Sequence, residues 1–88
     1  MAGQTIDTGI NADEATAVKS VLQQIVRVQE VEMSKHSEGS CQYNLARLEW
    51  SKANAGLTRA DGDMDMHDAY QREVRHYSRL VETQESSR

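Results

Sequence analysis

Hydrophobic residues recur at helical spacing through the first third of the chain. At about 100° per residue they fill an arc of roughly 160° on a helical wheel. We expect this arc to be the face that the first helix turns toward the core. Its members are Ala15, Val18, Val21, Leu22, Ile25, Val26 and Val28.

Polar residues indicate where this first helix starts and stops. Asn11 can accept a hydrogen bond from a first-turn amide, and Glu14 can reach back to it in a capping box. Three polar side chains later interrupt the apolar stripe: Gln29, Glu32 and His36. We therefore predict a helix over residues 11–37. Residues 1–10 show no periodicity and are expected to form a flexible arm.

Two turns that contain glycine divide the rest of the chain. Ser40 can cap a helix that follows Glu38-Gly39, and Gly62 suits the left-handed conformation that ends one. Either Asp63 or Asp65 can cap the helix after that. These signals predict helices over about 41–60 and 64–82.

No segment shows the alternation of a strand, so the predicted fold is all-α. We expect a small three-helix bundle, built as a helical hairpin plus a third helix, and we leave open whether it dimerises. Residues 11–82 form the single domain of this prediction, and residues 83–88 form a frayed tail.

Helix two has apolar residues on two opposite faces. One seam has the spacing of three and four that is typical of helix packing, and it contains Tyr43, Ala46, Trp50, Ala53 and Leu57. A second stripe about 180° away on the wheel contains Cys41, Leu45, Leu48 and Ala55. Polar Asn44, Arg47, Glu49, Ser51 and Lys52 fall largely between these stripes or at their margins.

An ordinary surface helix has only one apolar face. Both apolar faces of helix two must therefore pack against another helix or a partner. In one arrangement, helix two lies between helices one and three. In the other, a second copy or another protein covers the stripe of Leu45 and Leu48. The sequence leaves both arrangements open.

Helix three separates an apolar face from a basic one. The apolar face contains Met66, Tyr70, Val74, Tyr77, Leu80 and Val81. The opposite face carries Arg72, Arg75 and Arg79, together with His76. We expect a solvated face on which Asp68 pairs with Arg72 and Glu82 with Arg79. A second hypothesis is that these arginines dock on an acidic protein, and a third is that they contact nucleic acid.

Composition narrows the class of protein. The chain has 88 residues, one cysteine and a net charge of −4, which disfavours nucleic acid as the partner. No run approaches the ~20 apolar residues of a membrane span, and the first residues lack the pattern of a signal peptide. We expect a cytoplasmic protein without a disulfide. A domain this small often gains stability by binding a partner.

Two patterns resemble metal sites but fail in detail. Asp61, Asp63 and Asp65 match the opening of a calcium loop, yet Met66 and Arg72 stand where that loop needs Gly and Glu. Glu73 and His76 have the spacing of a di-iron carboxylate motif, with Glu32 or Glu49 available to complete it. On the wheel His76 points away from the apolar face, so no metal or other cofactor is predicted.

The sequence therefore favours a small non-enzymatic module that binds proteins. It contains no phosphate-binding loop, no nucleophile with a nearby base and no cofactor fingerprint, and no small-molecule substrate is expected. The predicted contact residues are Leu45, Leu48, Arg72, Arg75 and Arg79. The partner would be another protein, for which this chain acts as an adaptor, chaperone-like regulator or inhibitor, or a second copy of the chain. Alternatives are a nucleic-acid-binding regulator that uses the three arginines, and a homo-oligomeric structural component.

Overall fold

A computed structural model describes residues 2–86 of the chain, with side chains from residue 14 onward. It contains three α-helices, α1 (Ala2–Ser34), α2 (Cys41–Ala60) and α3 (Met64–Ser86). No strand occurs among residues 2–86. The predicted fold class, an all-α three-helix bundle, is confirmed, while the dimer stays a prediction.

The helix ends agree with the sequence signals in part. Helix α2 has the predicted bounds, whereas α3 continues to Ser86. Helix α1 begins at Ala2, ahead of the capping signal at Asn11, and ends at Ser34. The Asn11 side chain and residues 87 and 88 lie outside what the structure describes. The division into arm, domain and tail remains a prediction.

Both turns use the residues that the sequence indicates. The hydroxyl of Ser40 caps α2 by accepting a hydrogen bond from the Tyr43 amide at 3.1 Å. Asp63, rather than Asp65, caps α3 by accepting from the Met66 amide at 3.2 Å. Gly62 has a φ of 78°, in the left-handed region that glycine adopts without strain.

Helix α2 lies between the other two helices. It packs against both α1 and α3, and no Cα of α1 comes within 8 Å of one of α3 among the described residues. Trp50 touches both neighbours, since its Nε1 donates to Glu30 of α1 at 3.2 Å and its ring meets Tyr70 of α3 edge-on. Of the two arrangements considered for α2, the structure shows the intramolecular one.

Small side chains allow α2 to approach both neighbours closely. Four of the most deeply buried residues in the described part of the chain are small ones of α2: Ala46, Ser51, Ala53 and Ala55. By the helical wheel, Ala46 and Ala53 lie on one side of α2, and Ser51 and Ala55 on the other. Helix α1 spans 33 residues, or about 50 Å. The molecule is correspondingly long, with dimensions of 58 × 24 × 22 Å.

Over the residues described, none of the three helices combines the length with the apolar content that crossing a bilayer demands.

Candidate functional site

Helix α1 exposes four valines along its length, which we call the valine face: Val18, Val21, Val28 and Val31. Each is between 54% and 56% exposed. The prediction that the first three belong to the core-facing arc is wrong. The arc of roughly 160° is wider than the ~100° stripe that one neighbouring helix covers, so part of it stays outside.

The other side of α1 packs on α2. Leu22, Ile25, Val26 and Met33 are half-buried there. Leu22 lies directly against Gly56, where a side chain on α2 would collide with its methyl group. The wheel places the centre of this packed side about 110° from Val21 and Val28. A helix could therefore approach the valine face without displacing α2.

A shallow apolar depression of about 240 Å³ marks the N-terminal end of the valine face. Ala17, Val18, Val21 and Leu22 line it. It lies near the C-terminal end of α2, where Lys19 forms an ion pair with Asp61 at 2.6 Å. Part of the α1 surface next to this end of α2 is therefore uncovered and purely apolar.

A second depression, of about 260 Å³, opens between the C-terminal half of α1 and the start of α2. Its lining is Gln29, Glu32, His36, Gln42, Leu45, Ala46 and Glu49. The three polar residues that interrupt the stripe of α1 therefore meet the start of α2. The Glu32 carboxylate contacts Lys35 and His36, in the turn that follows α1, at 3.2 and 3.7 Å.

The two predicted contact leucines of α2 differ in exposure. Leu45 is 41% exposed at the edge of this groove, whereas Leu48 is 8% exposed. Leu48 lies about 40° from Asn44 and about 60° from Ser51 on the wheel, and both of these residues bond to α3. Of the two leucines, only Leu45 offers appreciable surface in this conformation, and binding through either one remains a prediction.

The three predicted contact arginines of α3 are all exposed. We call Arg72, Arg75 and Arg79 the arginine stripe. The expected pairs of Arg72 with Asp68 and of Arg79 with Glu82 do not form. No carboxylate among the described residues lies within 4.0 Å of any of the three guanidinium groups. Their charge is therefore available to a partner.

Behind the arginine stripe, a polar cluster fastens α3 to α2. Arg47 donates from Nε and Nη2 to one oxygen of Glu73 at 3.0 and 2.8 Å, and the Ser51 hydroxyl donates to the same oxygen at 3.0 Å. The guanidinium also lies 4.5 Å from the Trp50 ring centre and 5.6 Å from that of Tyr77. Burial works to lower the pKa of Arg47, but the hydrogen bonds and charge of Glu73 outweigh it and raise the pKa.

Sequence reasoning missed this cluster. Arg47 and Glu73 are 26 residues apart, so no local spacing relates them, and Ser51 appears polar and marginal on the wheel. The cluster also accounts for Glu73, whose carboxylate binds Arg47 rather than taking part in a di-iron motif. His76 is exposed and packs edge-on against Tyr77.

The acidic residues of the turn between α2 and α3 also have partners within the chain. Asp61 pairs with Lys19, and Asp63 caps α3. Among the described residues, no three His, Cys, Asp or Glu side chains are grouped so that they could hold a metal ion. Met66, predicted on the apolar face of α3, is 43% exposed next to this turn.

Comparisons with known proteins add no functional information. No family model, curated protein or solved structure matches this chain. The function is therefore inferred from the two exposed surfaces, the valine face and the arginine stripe.

Proposed function

We propose that this chain is a small non-enzymatic protein–protein interaction module, acting as an adaptor, chaperone-like regulator or inhibitor. The observation that carries the proposal is the valine face, where four valines of one helix are each more than half exposed. Isolated exposed apolar residues are ordinary, but a set on one helix is typical of a binding surface, and Val21, Val28 and Val31 lie within about 80° of one another on the wheel. Only 38% of the residues of this chain are hydrophobic, so four exposed valines leave fewer apolar residues to form its core.

The energy available from the valine face suits a specific contact. Full burial of a valine contributes about 1.5–2 kcal/mol, so covering the exposed half of one contributes roughly 1 kcal/mol. Four such residues supply a few kcal/mol before the cost of association. Leu45 extends the apolar area at the rim of the neighbouring groove.

The arginine stripe supplies a second surface of different chemistry. Arginine forms bidentate hydrogen bonds with carboxylates, so this stripe fits an acidic protein segment. No Cα of α1 comes within 8 Å of one of α3 among the described residues, so we expect that the valine face and the arginine stripe can be occupied at the same time. That separation favours an adaptor over a simple inhibitor.

Site-specific photo-crosslinking tests the proposal. Benzoylphenylalanine is placed at Val28 for the valine face, and separately at Arg75 for the arginine stripe. Gln23 is the matched control, because it is exposed on α1 but lies about 140° from Val28 on the wheel. The full chain is irradiated in the cells that express it, and adducts are identified by mass spectrometry.

We expect Val28 to give a defined protein adduct that Gln23 does not give. Arg75 should give an adduct that weakens as the salt concentration rises, because exposed charges are screened. Equal labelling at Val28 and Gln23 would show that the valine face binds nothing in particular and would overturn the proposal.

The unpaired arginines also support a second candidate, a regulator that contacts nucleic acid through the arginine stripe. Three guanidinium groups on one exposed helix face can reach successive phosphates. Fluorescence anisotropy with random DNA and RNA at low salt tests this candidate. Binding that Arg75→Ala and Arg79→Ala together weaken, with a steep salt dependence, would favour it over an acidic protein partner.

A further inference from the structure

The exposed positions of α1 follow a coiled-coil repeat. Ala17, Val21, Gln24, Val28 and Val31 are spaced 4, 3, 4 and 3 apart, and all five are exposed. Alternating steps of three and four define the a and d positions of a heptad. Val21 and Val28 then occupy a positions, and Ala17, Gln24 and Val31 occupy d positions. We call these five residues the seam.

We propose that the seam binds a second copy of this chain, with the two α1 helices forming a parallel, in-register coiled coil. This inference rests on the proposed function and names the partner of the valine face. Valine at a positions is β-branched, which favours two-stranded coiled coils. A polar residue in an otherwise apolar seam disfavours registers that bury it against an apolar side chain. Gln24 supplies that residue at the middle of the seam.

The charges that border the seam select the parallel orientation. In this register Arg27 occupies a g position and Glu32 the following e position. In a parallel pair, each g residue faces the next e residue of the other helix. The dimer therefore contains two symmetry-related contacts, each between Arg27 of one copy and Glu32 of the other. An antiparallel pair instead brings g residues toward g residues, so Arg27 would no longer face Glu32 of the second copy.

Both charged groups can make this contact. Arg27 is exposed and has no carboxylate within 4.0 Å among the described residues. Glu32 contacts Lys35 and His36, three and four residues further along the chain and exposed or half-buried. Such surface pairs are weak, so they leave the carboxylate able to accept an arginine.

Packing on α2 prepares α1 for this association. The seam covers residues 17–31, about 21 Å of helix, and a free peptide that short would be marginally helical. Here α1 is already a helix against α2, so little ordering entropy remains to be lost when two copies meet. The second helix approaches about 130° around α1 from α2, which leaves α3 and its arginine stripe outside the interface. We expect a dissociation constant in the micromolar range.

Light scattering and disulfide trapping of the full chain test the inference. The native mass is measured over concentrations that bracket the micromolar range. For trapping, Cys41→Ala removes the one native thiol, and Val28→Cys or Gln23→Cys adds a single new one. A parallel in-register pair places the two residues at position 28 face to face, at a distance that a disulfide can span.

We expect a mass that rises from monomer to dimer with concentration, and faster disulfide formation at position 28 than at position 23. A dimer in which position 28 reacts no faster than position 23 would overturn the seam as the interface. A monomer throughout would overturn the inference itself. The photo-crosslinking at Val28 then decides the proposed function separately, since an adduct with a different protein leaves that function standing.

Charge reversal tests the orientation and uses substitutions that leave the apolar seam intact. In the parallel pair, Arg27→Glu places a carboxylate opposite Glu32 of the other copy in both symmetry-related contacts. It should therefore weaken dimerisation roughly ten-fold. The double variant Arg27→Glu/Glu32→Arg should restore it. An antiparallel pair predicts little change for Arg27→Glu alone, because position 27 then does not face Glu32 of the second copy. Circular dichroism checks that each variant keeps its helicity.

Discussion

Between α2 and α3, buried polar side chains bond across the interface, whereas between α1 and α2 the packing is mainly apolar and the polar links lie near the surface. Asn44 of α2, 3% exposed, donates to Gln84 of α3 at 3.1 Å, and Arg47 and Ser51 share Glu73. Among the described residues, polar links to α1 include Trp50 with Glu30 and Lys19 with Asp61.

This difference explains why spare apolar surface lies on α1. Hydrogen bonds are directional, so the α3 side of α2 is fixed in one register with its polar groups satisfied. Apolar contact is not directional, and it leaves part of the wide hydrophobic arc of α1 uncovered. A second helix can therefore approach the valine face without displacing α2.

The tightness of the α2–α3 interface predicts the largest effect on stability. Ser51 is fully buried, so Ser51→Leu forces a larger side chain between the helices and removes the bond to Glu73. We expect a loss of about 3 kcal/mol in the free energy of unfolding. For a domain of this size, that corresponds to a fall in Tm of roughly 12–20 °C.

Thermal and urea unfolding followed by circular dichroism measure this loss. Lys52→Leu is the control, because Lys52 is the next residue on α2 and is exposed. If Ser51→Leu changed the stability no more than Lys52→Leu, the close fit of α2 and α3 would be disproved.

The polar cluster itself predicts the next effect in size. Glu73→Ala leaves the Arg47 guanidinium and the Ser51 hydroxyl without their shared acceptor. We expect a loss of about 2 kcal/mol, since Arg47 and Glu73 are only partly shielded from water and solvent replaces some of the lost interaction. Glu82→Ala, at an exposed position of the same helix, should change the stability by less than about 0.5 kcal/mol.

Urea unfolding of the two variants checks this prediction. Equal losses for Glu73→Ala and Glu82→Ala would mean that the cluster does not hold α3, and the contrast between the two interfaces would then fail.

The sequence predicts the architecture well where local signals carry it. The Ser40 cap and the Gly62 turn locate α2, and its two apolar faces predict that both need cover. These features depend on spacing within one or two turns, which a single sequence displays directly.

The sequence does not predict the features that depend on how the helices meet. Nothing local indicates that Val21 and Val28 stay outside while Leu22 packs inside, because all three lie in one apolar arc. Similarly, Ser51 resembles a solvent-facing residue in the sequence, because its hydrogen-bond partner Glu73 lies on another helix. The valine face and the polar cluster therefore emerge only from the tertiary arrangement.

The smallest predicted effect tests the looser interface, at Gly56 of α2. A methyl group added there would lie 2.9 Å from the end of the Leu22 side chain. Leu22 is only half-buried, so it can move aside at small cost. Alanine is favoured over glycine within a helix by about 1 kcal/mol, and we expect Gly56→Ala to gain about 0.5 kcal/mol overall.

A double-mutant cycle separates the two contributions at Gly56. With Leu22→Ala as background the contact is gone, so Gly56→Ala should yield the full gain of about 1 kcal/mol. Urea unfolding of the four proteins measures both steps. A loss above about 1 kcal/mol for Gly56→Ala alone would mean that α1 is held as rigidly as α3. The uncovered valine face could not then be attributed to loose apolar packing.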